Sequence, residues 1–198
     1  MSGGVATGGV ASGAIDTMTG AAVAINYTHH EVHGGSSFVT DFVDSSMAND
    51  ETIILAFKTP AGDKRLHLFV EYTSLVGGEL QLWEGPTWTA QTGGEEPIVN
   101  RNRKGTPASS VVLANQAQAG FVAADVVNRN PTGLSTVAAV SLHHFYSWGI
   151  KNRVGAGAAR DLEEMILKAD TAYAAVFTAE GGSNTGQVIL NWYEHTDR

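Results

Sequence analysis

Cysteine is absent from this chain of 198 residues, which excludes a disulfide, a thiolate zinc site and a cysteine nucleophile. Charge is scarce as well, at 16% of residues, and basic charge is scarcest: Lys and Arg number 12 against 20 Asp and Glu, a formal net charge of −8. Phosphate contacts need clustered Lys and Arg, so no nucleic acid partner is expected. The one basic cluster is Asn100-Arg101-Asn102-Arg103-Lys104. No apolar run approaches the roughly 20 residues that span a bilayer, so no membrane partner is expected either. The opening Met1-Ser2-Gly3-Gly4-Val5 lacks the basic start and apolar stretch of a signal peptide. The chain is therefore expected to be made in the cytoplasm and to stay soluble there until it assembles.

What the sequence does have is glycine, 23 residues of it, together with many Thr, Ser and Asn. That composition with little charge reads as β-rich rather than helical. Residues 1–25 differ from the rest. They are almost all Gly, Ala, Ser, Thr and Val, with Asp16 as the only charged side chain. Such a segment buries too little apolar area to offset its own ordering entropy. It reads as an extended Gly/Ala-rich N-terminal arm held by another surface, with Val5, Val10, Ile15, Met18, Val23 and Ile25 as its contact residues. Residues 26–198 form the domain.

From Ser36 onward, short apolar or period-two runs alternate with Gly, Pro, Asn and Asp clusters. The pattern predicts strands at Ser37–Phe42, Thr52–Lys58, Arg65–Tyr72, Glu79–Trp83, Ser109–Asn115, Ala138–Trp148, Ala172–Thr178 and Gln187–Glu194. The long Ala138–Trp148 run fits a central strand. Pro60-Ala61-Gly62-Asp63 and Gly181-Gly182-Ser183-Asn184 are turn chemistry. Asp161–Lys168 is contested: its residue types favour helix, while the spacing of its neighbours favours strand. The sum is an all-β fold, a jelly-roll-like β-sandwich.

Three arrangements invite a chemical reading. His29, Glu31 and His33 would share a face on a strand, giving two imidazoles and a carboxylate suited to zinc or iron. The Glu that a metal-binding jelly roll of the cupin type requires close behind is missing, and satisfied strand or interface histidines are the expectation. Gly155-Ala156-Gly157-Ala158-Ala159-Arg160 imitates a dinucleotide loop, but Arg160 crowds the third glycine position, so a turn is expected. Glu95-Glu96 and Glu163-Glu164 are adjacent, which on a strand puts them on opposite faces; they read as solvated charge. No nucleophile elbow or phosphate loop occurs. No catalytic residue, metal or cofactor is expected. Trp83, Trp148, Trp192 and Tyr193 read as core, whereas Trp88, in Gly85-Pro86-Thr87-Trp88-Thr89, reads as a loop residue open to a glycan or a partner.

The ordered set His33-Gly34-Gly35-Ser36-Ser37-Phe38, Lys64-Arg65-Leu66-His67-Leu68, Leu82-Trp83-Glu84-Gly85-Pro86-Thr87, Asn100-Arg101-Asn102-Arg103, Ser110-Val111-Val112-Leu113, Ile166–Tyr173 and Leu190-Asn191-Trp192-Tyr193-Glu194-His195 resembles a family of tailed-phage virion proteins. These are capsid decoration, or head-stabilising, proteins. The resemblance covers about 27 to 195 and is weaker between about 116 and 160. It implies a β-sandwich on the outer capsid surface, a major capsid protein as partner, and self-association as a homotrimer. It also makes Arg101 and Arg103 interface residues rather than a nucleic-acid site. A fibre or adhesin module holding cell-surface sugar through Trp88 is the alternative.

Overall fold

The computed structural model describes residues 14–15, 22–23, 27–89, 94–112, 126–147, 155–157 and 164–196. Among them, β1 (Ala14–Ile15) pairs β2 (Ala22–Val23) as a separate two-stranded ribbon. A helix, α1 (Tyr27–Gly34), follows. The remaining strands are β3 (Ser37–Met47), β4 (Thr52–Lys58), β5 (Lys64–Ser74), β6 (Gly78–Glu84), β7 (Glu95–Pro97), β8 (Val99–Asn100), β9 (Val126–Arg129), β10 (Val140–Ser147), β11 (Gly155–Gly157), β12 (Met165–Ile166), β13 (Ala172–Ala179) and β14 (Asn184–Thr196).

These strands form two packed antiparallel sheets. One runs β11-β5-β14-β3-β8, with β12 also on β5; the other runs β10-β6-β13-β4-β9-β7. Setting aside the short β7, β8, β9 and β12, the chain order is β3, β4, β5, β6, β10, β11, β13, β14. The first, eighth, third and sixth of these make one sheet, and the second, seventh, fourth and fifth make the other. That interleaving is the jelly roll, so the fold is an all-β sandwich of this type.

Alternation puts one face of each strand into the core. Ile53, Leu55 and Phe57 of β4 and Tyr173, Ala175 and Phe177 of β13 face Leu66, Leu68 and Tyr72 of β5 and Val188, Leu190 and Trp192 of β14. Gly186 makes room for this packing. A methyl there would meet the Phe177 ring at 2.6 Å and Met47 Sδ at 2.7 Å. Phe57, Leu66, Val112, Val127, Leu190 and Trp192 meet within the core and leave no room for a water molecule between them.

Several expectations are corrected. Residues 27–34 are helical, and Gly34-Gly35 ends the helix: Gly35 takes a positive φ, Ser36 N–H donates to Glu31 O at 3.1 Å, and Gly35 N–H donates to Val32 O at 3.2 Å. Ser109–Val112 joins no ladder, and residues 113–115 lie outside the described residues. β10 sits at a sheet edge rather than the centre. Gly155–Gly157 is a strand on β5, not a turn. In the contested segment, tertiary pairing overrides helix propensity: Met165 and Ile166 pair Leu68 and His67.

Candidate functional site

The basic loop is built by two asparagines. Asn100 is buried; its Nδ2 donates to Gly35 O at 2.8 Å and Ala108 O at 2.9 Å, and its Oδ1 accepts Asn102 N–H at 2.8 Å. Asn102 repeats the turn, accepting Lys104 N–H at 3.0 Å and donating to His33 O at 2.9 Å. The Asn side chains fasten the loop to the end of α1, and Arg101 and Arg103 between them stand exposed. They form a basic projection on an acidic molecule, suited to an acidic partner surface.

The arm candidates divide. Ile15 lies on β1 and Val23 on β2, in a register that pairs Ala14 with Val23 and Ile15 with Ala22. Val5, Val10, Met18 and Ile25 lie outside the described residues.

Trp88 is not a surface residue; it is 3% exposed. Its loop returns to the sheet through Gly85 N–H to Ala172 O at 2.8 Å and a two-way backbone pairing of Thr87 with Ser135. The indole packs with Ala56, Ala172 and Ala174, and with Ile54, Leu134 and Val176. Small side chains on β4 and β13 leave a seat for one large ring. A sugar platform on Trp88 is ruled out by that burial.

The helix also undoes the proposed ligand triad. On a helix, positions 29 and 33 share a face and position 31 lies opposite. Glu31 is buried and bonds Ser36 Oγ. Among the described residues, no group of three or more His, Asp or Glu is placed to hold a metal ion.

Two polar clusters were not legible in the sequence. Glu194 is buried on β14 and accepts Ser110 Oγ at 2.7 Å, Val111 N–H at 3.1 Å and Trp192 Nε1 at 3.1 Å. These bonds clip the 110–112 segment to the sandwich without a ladder. Glu164 accepts Tyr193 OH at 2.6 Å and bonds His67 Nδ1, while the His67 ring stacks on Tyr193 at 4.5 Å between centroids. Glu164 is thus a structural acceptor rather than free charge, and so is Glu96, which pairs Arg129 at 2.5 Å. The signal lies in registers such as Tyr193 opposite His67, which the sequence does not print.

The sandwich has two unlike edges. On one, residues 95–100 cross from sheet to sheet: β7 pairs β9 in one, and β8 pairs β3 in the other. Thr40 Oγ1 donates to Pro97 O at 3.0 Å, and the Arg129 guanidinium lies 4.6 Å from the Phe42 ring centroid. This strap closes the edge. On the other edge, β10 pairs β6, and among the described residues no strand pairs its far side. Large apolar side chains are exposed there: Val137 97%, Val140 56% and Tyr146 53%. Ile166, on β12 at the same-side edge of the facing sheet, is 59% exposed.

Comparison of the chain with protein-family models, with curated proteins and with solved structures returned no match. The fold class, an all-β jelly-roll sandwich, rests on the strand order above.

Proposed function

We propose that this protein is a structural component of a tailed-phage virion: a decoration, or cement, protein that binds the major capsid protein on the outer head surface and associates with itself as a homotrimer. The single observation that carries this reading is the pairing of a self-contained jelly roll with an N-terminal segment whose described strands bond only each other. A complete sandwich needs no such appendage for its own core, so the segment is suited to gripping another chain. The exposed Arg101 and Arg103 and the uncharged apolar edge at β10 add surface of two kinds for the shell and for neighbouring copies. The role is structural rather than catalytic, and the working location is the capsid surface after synthesis in the host cytoplasm.

The mechanism is linkage. A protein that binds only the assembled shell stabilises it by mass action, and many copies at symmetric sites act together. The interface such a role requires has an apolar centre and a polar rim. Heating decorated and stripped heads side by side tests the reading through the temperature at which DNA escapes. Decorated heads are expected to hold their DNA to a higher temperature. Equal release temperatures, with the protein shown to be bound, overturn the clamping role.

A further inference from the structure

Among the described residues the chain has a strand edge that no other strand pairs and a pair of strands that joins neither sheet. β10, Val140-Ser141-Leu142-His143-His144-Phe145-Tyr146-Ser147, is an eight-residue edge strand without a single Asp, Glu, Lys or Arg. Edge strands in proteins that stay apart are blunted by charge, proline or a covering loop, and β10 has neither charge nor proline. It carries one bulge, where Leu142 is the extra residue against β6, and His143–Ser147 beyond it form a regular run of five residues. Apolar Val137, Val140 and Tyr146 are exposed on it or beside it.

The β1–β2 ribbon is the complementary element. It bonds neither sheet among the described residues, and an isolated two-stranded ribbon is marginal in water. Its surrounding segment, residues 1–25, has one charged side chain in a chain of net charge −8. Two nearly neutral elements on a strongly acidic molecule identify the occupant as a second copy. Copies that carry this net charge can meet at these two elements without like-charge repulsion. Main-chain bonding at an edge asks for no particular side chains, which suits an arm of Gly and Ala.

We propose that the β1–β2 ribbon of one copy adds to the open β10 edge of the next, so that identical chains join head to tail by exchanging arms. Such an interface is heterologous: each copy gives one arm and receives one, and the chain of contacts closes into a ring when the rotation permits. This deepens the self-association in the proposed function by naming its two halves, and it stands apart from capsid binding because it is read on the isolated protein.

The experiment measures mass in solution for four proteins without heads: the full chain, a chain lacking residues 1–25, Ala22→Pro, and Val140→Lys with Tyr146→Lys. Far-UV circular dichroism confirms that each is folded. The full chain is expected at three times the monomer mass and every variant at the monomer mass. Ala22→Pro removes a ladder N–H from β2 and serves if the truncated chain does not fold. The decisive arm mixes the truncated chain with the doubly lysine-substituted chain. One retains its edge and the other its arm, so a one-to-one heterodimer is expected and nothing larger. A monomeric full chain overturns the inference, as does a truncated chain that keeps the full-chain mass or a mixture that stays monomeric. Loss of head binding in a protein that still forms the ring would instead strike at the proposed function alone.

Discussion

The two edges of the sandwich solve the same physical problem in opposite ways. Every sheet edge presents unpaired N–H and C=O groups. On the β7/β8 side the chain spends its long connection between β6 and β10 on covering them, crossing both sheets and locking the strap with Arg129, Glu96 and Thr40. On the β10 side no described strand does so; exposed valine occurs on both sides, Val99 on the strap and Val140 on β10, so the difference lies in the unpaired backbone. The closed edge is stability built within one chain; the open edge is the surface to which the arm of another copy is proposed to add. Substitutions on the two sides should therefore separate into losses of folding and losses of association.

The largest effect is expected from Trp88→Ala, on the covered outer face of the β4–β13 pair. Deleting a buried indole from its alanine seat should cost about 3–5 kcal/mol, measured by urea unfolding. A loss under about 1 kcal/mol would show that the loop lies open and that this face is not covered.

A smaller effect is expected from pH, acting on the interior. Burial holds the Tyr173 phenol above its ordinary 10.0; the adjacent Glu84 carboxylate adds to the rise, and the Lys168 backbone N–H opposes it. Tyr146, on the open edge, is also raised, there chiefly by its hydrogen bond with Glu79. For Tyr173 the unfolded chain gives up its proton near pH 10 while the folded chain keeps it. Its contribution to stability is whole below that pH and is lost as pH rises past it. Stability should fall above pH 10, and Tyr173→Phe should flatten the fall at a cost of about 1–3 kcal/mol near neutrality, because Lys168 N–H loses its acceptor. A decline equally steep in Tyr173→Phe would place the titrating group elsewhere.

The smallest effect on folding belongs to the open edge. Val140→Lys, measured in the chain lacking residues 1–25 so that no association contributes, should change unfolding free energy by no more than about 0.5 kcal/mol, since the side chain is exposed. A loss of 2 kcal/mol or more would mean that this edge is covered within the chain, and the contrast would fail.

How much of this was legible in the sequence depended on whether the cause was local. Thr52–Lys58 was predicted with the bounds it has, because a run that holds Thr52, Ile53, Ile54 and Phe57 lies between Asp50 and the Pro60 turn. The Ala138–Trp148 run was read as a strand but misplaced to the centre, because an apolar run looks alike when it faces a core and when it faces a partner. The helix at Tyr27–Gly34 was missed despite its Gly34-Gly35 stop, since its residues carry almost no amphipathic period. Trp88 was misread as exposed because its neighbours are turn residues, while the alanines that seat it stand at 56, 172 and 174. For the proposed interaction surface, composition pointed to the arm and the Asn-Arg-Asn-Arg loop, and nothing local pointed to the edge.

By itself the sequence determined the all-β class, most of the strands, the turns between them and the absence of thiol chemistry, because alternation, β-branching and glycine act over a few residues. Tertiary structure alone decided the jelly-roll order, the strap across one edge, the bonds that satisfy Glu194 and Glu164, and which apolar strand would be left at a sheet edge. Those depend on contacts between residues far apart in the chain, and their energy exists only once both partners are in place.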